Sequence, residues 1–338
     1  MSNIKLLDCT LRDGGYVNNW DFTPNQISHT VHNLTNAGIE YIEIGYLTSL
    51  LTNVNGSSFL NVESASRFLP EDKKGSKYLI MADVAQFDTE TLCKRTSAAL
   101  DGIRVVFYKR QIEQAYLFCE KVCEMGYDLF LQPMVTVDYS LNEFYELCSR
   151  FCERYQSHTI SVVDSFGCMT VSEIWHFIEI IEKCTNANTK IGFHGHNNMQ
   201  FAQTNAISLF DYQSNREFII DASVSGIGRG AGNLYTEIIA MYYNRRHNGN
   251  YKIESILNVA SELTEPLSRT HKWGYSPYLM LTAMRRAHPN FSTYLLDNHQ
   301  VSVNEFAEFI QYVPNDMLTK CTRPYVEELY HQFVQGRK

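Results

Sequence analysis

Two histidines stand one residue apart in the stretch GFHGHNN, Gly192 to Asn198. In a strand, residues i and i+2 project to the same side. His194 and His196 on a strand would therefore face one another's space, and Gly195 between them leaves room for one divalent ion. A second run ends in DCTLRDGG. There Asp13 offers a hard oxygen ligand, and Arg12 offers a guanidinium that can neutralise a developing enolate or hold a carboxylate in a bidentate pair. The plainer reading of Arg12 is a capping ion pair, with Asp8 as an alternative partner.

In YIEIGY, Ile42 and Ile44 share one face and Glu43 takes the other. If the apolar pair meets helices, Glu43 points inward, where a carboxylate is costly unless paired; Arg12 would pair it. The loop GIGRGAGN has four glycines, Gly230 and Gly232 among them, which permit close backbone approach to a ligand. Asn233 ends that run with a neutral oxygen. In VVDSFG, Asp164 and Ser165 are placed to hydrogen-bond a substrate or the groups around it. Asp13, His194, His196 and Asn233 together make a mixed N/O set that suits Mn²⁺ or Mg²⁺ and also accepts Zn²⁺.

These residues need a scaffold that gathers them. Eight short apolar runs alternate with longer amphipathic ones, near 4–9, 40–46, 77–83, 102–108, 128–135, 159–165, 190–196 and 218–224. Helical stretches fall between them, such as Gln111 to Glu124 and Val171 to Cys184. Eight strand–helix repeats within about 245 residues predict a (β/α)₈ TIM barrel, typically ~250 residues, with its site at the C-terminal ends of the strands. A doubly wound sheet would carry G-x-G-x-x-G after its first strand, and RDGGY lacks that spacing. The predicted domains are a catalytic barrel over 1–246 and a small helical region over 247–338.

The chain has 338 residues, 44% hydrophobic and 20% charged, the composition of a globular protein. A net charge of -8 argues against a nucleic-acid surface. The first residues lack a signal peptide's apolar region, and no stretch approaches the ~18 apolar residues of a membrane span. The expectation is a cytoplasmic protein, off the membrane. Nine cysteines without any C-x-x-C pair argue against a disulfide framework or zinc knuckle. Cys119 and Cys123, like Cys148 and Cys152, read as thiols on helix packing faces.

In order, LLDCTLRDGG, YIEIGY, VVDSFG, GFHGHNN and GRGAGNLYTE resemble the motifs of the DRE-TIM metallolyases. That family includes 4-hydroxy-2-oxovalerate aldolase, HMG-CoA lyase and 2-isopropylmalate synthase. The resemblance covers the barrel, near 1–245. It implies that Asp13, His194 and His196 bind a divalent metal, that Arg12 stabilises an enolate, that Glu43 is the family's strand-two Glu, and that Asn233 matches a metal-ligating Asn of some members. GIGRGAGN lacks the catalytic Cys of the HMG-CoA lyases, and RDGGY differs from the RDGEQ of the Claisen synthases. GFHGHNNMQFA is most similar to the oxovalerate aldolases.

The implied activity is a class II aldolase that cleaves or forms a 4-hydroxy-2-oxo acid through a pyruvate-type enolate. The implied partners are a small 2-oxo acid and an aldehyde. The C-terminal aromatic runs WGYSPY and FSTYLL have three open uses: packing against the barrel, which is the plainest, forming a homodimer, or docking an aldehyde-processing enzyme, as the resemblance implies. One position departs from that pattern: the aldolases' acid/base His is replaced by Tyr16, a phenol with an ordinary pKa near ~10. The alternatives are a Claisen-type transferase joining an acyl-CoA to a 2-oxo acid, and a non-catalytic scaffold on the same barrel.

Overall fold

The computed structural model describes residues 3–50, 54, 56–155 and 158–336. Nine parallel strands form one sheet: β1 Asn3–Asp8, β2 Tyr41–Leu47, β3 Ser58–Phe59, β4 Lys77–Asp83, β5 Gly102–Phe107, β6 Asp128–Pro133, β7 Thr159–Asp164, β8 Lys190–Gly195 and β9 Glu217–Ala222. The order is β1-β9-β8-β7-β6-β5-β4-β2-β3, and β1 also pairs with β2. That last pairing, Leu7 with Tyr41 and Asp8 with Ile42, closes an eight-stranded TIM barrel. The two-residue β3 hangs on the upper end of β2, outside the ring.

All eight apolar runs are barrel strands. Their outward side chains, such as Ile42, Ile44, Ile80, Ile103 and Val105, are buried beneath the surrounding helices. The helices start where the sequence supplies caps. Thr23 with Gln26, Ser140 with Glu143, and Thr170 with Glu173 form reciprocal capping boxes at helices Pro24–Ala37, Leu141–Arg154 and Val171–Cys184. The repeat is less regular than eight alternations. Between β4 and β5 the only helical turn is the short Thr89–Thr91. The reason is local: FDTETLCKRTSAALDG has no apolar stripe at helical spacing to bury.

The register in β2 shifts between Glu43 and Tyr46. The extra residue lets both side chains face the lumen. Gly45 sits in this bulge, where a Cβ would stand 1.9 Å from the Ser57 carbonyl oxygen. Leu7, Tyr41, Leu79, Phe130 and Ile219 fill the lower lumen.

After the eighth barrel helix, Thr236–His247, helix Ile253–Val259 returns to the barrel, where Ile256, Val259 and Leu263 join its core. A separate apolar core follows, built from helices Asn290–Asn298, Val303–Tyr312 and Arg323–Gly336 around Phe291, Phe306, Phe309 and Phe333. This unit rests on one side of the mouth. Trp273 Nε1 donates to the Ser225 carbonyl at 3.0 Å, and Arg229 donates to Asn290 Oδ1 at 2.7 Å. His288 packs on Phe166 with ring centroids 5.6 Å apart. Tyr278 stays within the unit, its hydroxyl donating to the Val301 carbonyl, and Tyr275 is exposed. All nine cysteines are free thiols, with Cys119 and Cys148 in the core. No helix of the described residues is long and apolar enough to cross a membrane.

Candidate metal centre and active site

β8 carries His194 near its C-terminal end, and His196 follows directly after the strand. The chain after β1 turns at once into the helical turn Thr10–Asp13, which holds Arg12 and Asp13 over the same end. A bridge between His196 and Asn233 draws the last loop across. Asp13, His194 and His196 are all buried, and one ligand atom from each lies within 4.8 Å of the others. Asn233 Nδ2 donates to Asp13 Oδ2, which leaves Asn233 Oδ1 buried without a partner.

Two buried guanidiniums organise the surrounding carboxylates. Arg12 donates from Nη1 to Asp13 Oδ1 at 2.7 Å and from Nε to Glu43 Oε2 at 2.8 Å. Arg104, fully buried on β5, donates from Nη1 to the same Glu43 oxygen at 2.7 Å and from Nη2 to Asp221 Oδ2. Asp221 in turn lies 3.0 Å from His194 Nδ1. That contact assigns the Nδ1 proton, because a carboxylate only accepts. It leaves the Nε2 lone pair, 3.6 Å from Asp13 Oδ2, open to a cation.

The electrostatics favour a cation. Burial alone would raise Asp13, but Arg12, the two imidazoles and the Asn233 amide outweigh it and hold the acid at about 2. Burial pushes His196 down to about 4, against the pull of Asp13. Asp221 also stays below the ordinary carboxylate range: burial opposes this, and Arg104 and His194 prevail. At neutral pH Asp13 is ionised and His196 neutral, the states that metal ligation requires. Asp13, Glu43 and Asp221 formally exceed Arg12 and Arg104 by one negative charge. The donor set, the orphaned Asn233 oxygen and this excess fit a divalent ion.

Residues 3–263 match the HMGL-like family model. The chain belongs to the HMGL-like family. This places it in the DRE-TIM superfamily, and it is an enzyme of the carbon–carbon lyase kind. The HMGL-like chain is 26% identical over 270 residues to a 4-hydroxy-2-oxovalerate aldolase of Bacillus cereus, covering 78% of this chain and 76% of that one. It is 25% identical over 278 residues to an oxaloacetate decarboxylase of Mycobacterium tuberculosis, covering 81% and 80%. The crystal structure of the N-terminal domain of a proposed aldolase from Bacteroides vulgatus superposes with a TM-score of 0.73 at 25% identity, over 90% of this chain and 99% of that one.

The remaining residues singled out in the sequence fall around this HMGL-like centre. Tyr16 stands at the rim with its ring edge-on to Trp20, centroids 4.8 Å apart. The residue is 44% exposed, and its hydroxyl lies within the field of Arg12 and Asp13. Burial pushes that hydroxyl up to about 12, and Arg12 offsets only part of the rise. Arg12 therefore does not turn this phenol into a base. Ser165 Oγ accepts from Val135 N at 2.8 Å and ties two mouth loops together. Asp164 accepts from the Cys168 and Met169 amides. Gly230 and Gly232 have φ of +66° and +79°. A Cβ on Gly232 would stand 2.0 Å from the Gly226 carbonyl oxygen, and one on Gly230 would stand 2.9 Å from Asn198 Oδ1. These glycines let the last loop fold tightly on itself and press Asn233 toward Asp13. Among the described residues, no hydrogen bond joins Ser165, Gly230 or Gly232 to Asp13, His194 or His196. Asp8 does not pair with Arg12; it accepts from Thr10 N and Thr236 Oγ1.

Sequence reasoning missed Arg104 and Asp221. Each sits inside an apolar run, GIRVVF and FIIDAS. The alternation that places Glu43 inward applies equally to both and was the available signal.

Proposed function

We propose that the protein is a divalent-metal-dependent aldolase acting on a 2-oxo acid of the pyruvate type, with an aldehyde as the second substrate. The observation that carries this reading is the buried Asp13–His194–His196 group with the Arg12 guanidinium hydrogen-bonded to one of its members. The aldolase named among the relatives supports the same substrate class. Mn²⁺ or Mg²⁺ suits the oxygen-rich set, and Zn²⁺ also fits two imidazoles with a carboxylate. When bound there, the ion supplies Lewis acidity toward a 2-oxo group.

The chain's own residues supply the rest. Among the described residues, Arg12 Nη2 has no protein acceptor, so this N–H is the free donor for the oxygen on which enolate charge develops. Glu43 and Asp13 hold the guanidinium rigidly by its other nitrogens, so donating costs no reorganisation. Asp221, fixed by Arg104, keeps His194 in one tautomer. Tyr16, protonated at neutral pH, acts as a donor. In the condensing direction a bond forms between the enolate carbon and the aldehyde carbon, and the resulting alkoxide takes the phenol's proton.

The protonated state of Tyr16 also favours a second reading, decarboxylation of a 2-oxo diacid. That reaction generates the enolate by losing CO₂ and needs no base to strip a hydroxyl. One pair of assays separates the readings: pyruvate release from 4-hydroxy-2-oxopentanoate, and CO₂ release from oxaloacetate, each before and after chelation and Mn²⁺ addition. The aldolase reading requires chelator-sensitive pyruvate release. CO₂ release from oxaloacetate without pyruvate release from 4-hydroxy-2-oxopentanoate selects the second reading, and full activity after chelation overturns both.

A further inference from the structure

We propose that the second substrate carries an anionic group, a carboxylate or phosphate, which binds in a recess beside the mouth. This inference rests on the aldolase reading and extends it to the acceptor. The recess, about 350 Å³, lies between the loops after β5 and β6 and the C-terminal unit. Tyr108, Arg110, Met134 and Val135 wall it from the barrel, and Thr319 and Lys320 from the C-terminal unit.

One residue is common to the recess and the mouth. Met134 also packs on the cluster of Tyr46, Met81 and Val106 inside the mouth, and is thus a wall shared by both. Asp83 ends β4 at the mouth, and Tyr46 and Arg110 both act electrostatically on its carboxylate.

Its charge selects an anion. Three cations border it, Lys109, Arg110 and Lys320, against the single carboxylate of Asp138. Lys109 is already engaged, with Glu143 at 2.7 Å. The Arg110 guanidinium sits over Tyr108, 4.5 Å from the ring centroid. Among the described residues neither Arg110 nor Lys320 has an ion pair, and both are exposed. A planar guanidinium held on a ring can fork two hydrogen bonds onto a carboxylate or phosphate. Asp83, at the end of β4, repels an anion there, so the charge belongs farther out, beside Arg110 and Lys320. The volume is within the range of small-molecule sites, and the apolar Met134 and Val135 suit a carbon chain between aldehyde and anion. The aldehyde carbon then reaches inward to the enolate, and its oxygen takes the proton as described above.

The test uses the full chain with Mn²⁺ and three aldehydes: propanal, succinic semialdehyde and glyceraldehyde 3-phosphate. Hydrogen–deuterium exchange at pyruvate's methyl group runs in parallel. The expected result is a kcat/KM at least ~10-fold higher for one charged aldehyde than for propanal, the scale of one charge-assisted hydrogen bond. The double variant Arg110→Gln with Lys320→Gln should remove that preference through KM. Lys183→Gln, exposed and paired with Glu179 on an outer helix, serves as the control that keeps it. The charged aldehyde that wins identifies carboxylate or phosphate. Intact exchange with equal kcat/KM for charged and neutral aldehydes overturns this inference alone, as does a preference that survives the double substitution. Absent exchange overturns the aldolase reading and the inference with it.

Discussion

Both ends of the barrel lumen are charged, and the difference between them separates structure from chemistry. At the amino end, Lys77 meets Asp128 at 2.6 Å and Lys190 meets Glu217 at 2.8 Å. Tyr41 bonds to both Lys190 and Glu217. The Lys77–Asp128 side chains are 45% and 49% exposed, so water screens them, and each charge has its opposite. Such pairs contribute at most about 1 kcal/mol and serve as a plug. At the carboxyl end, Arg12, Asp13, Glu43, Arg104 and Asp221 are buried. There the negative charges outnumber the positive, and Glu43 Oε1 and Asn233 Oδ1 lack protein partners. An unbalanced buried set with open lone pairs is expensive for a fold and useful for holding a cation.

The largest expected effect comes from removing the guanidinium that links two carboxylates. Arg104→Leu leaves Glu43 and Asp221 buried with too little counter-charge and should cost about 3–5 kcal/mol in urea unfolding. A loss under about 1 kcal/mol would place the upper ring in the same class as the lower plug. Asp221→Asn is milder. It frees the His194 tautomer and should weaken Mn²⁺ binding by about 10–100-fold in calorimetric titration. Unchanged affinity would mean that the Asp221–His194 contact is only packing.

Asp8 sharpens the contrast, because it is buried with hydrogen bonds and, among the described residues, no counter-ion. Burial raises it to about 6, despite the bonds from Thr236 and Thr10. The folded chain then holds this proton more tightly than the unfolded chain does. The resulting stability is full below about pH 4 and is lost as pH rises through 6. Asp8→Asn has no such loss, so the difference between variant and wild type should move in the variant's favour by about 1–3 kcal/mol between pH 4 and pH 7. A pH-independent difference would contradict the assignment. The smallest effect belongs to the plug: Lys77→Gln should change stability by less than about 1 kcal/mol and leave Mn²⁺ affinity untouched.

Much of this contrast was legible before the structure. The eight strands announce themselves as apolar runs, Asp13 and His194 stand out where such runs end, and Glu43 stands out between Ile42 and Ile44 by alternation. Arg104 and Asp221 were harder to see because they interrupt the middle of a run, where a charge reads as noise unless the two-residue period is applied to every strand. The missing helix between β4 and β5 is visible only as an absent stripe. The bulge that turns Tyr46 inward has no signal beyond Gly45. The seating of the C-terminal unit on the mouth depends on contacts such as Arg229 with Asn290, 61 residues apart, and no local pattern encodes these.

The central claim is that the Asp13–His194–His196 group holds a divalent ion and, with Arg12, stabilises a pyruvate-type enolate. Its most direct test is exchange of pyruvate's methyl protons in D₂O, with bound metal quantified on the same samples. The account predicts one equivalent of Mn²⁺ and metal-dependent exchange in wild type, with both lost in His194→Ala. Exchange that persists without metal, or a wild-type chain that takes up no ion from excess Mn²⁺, would contradict it.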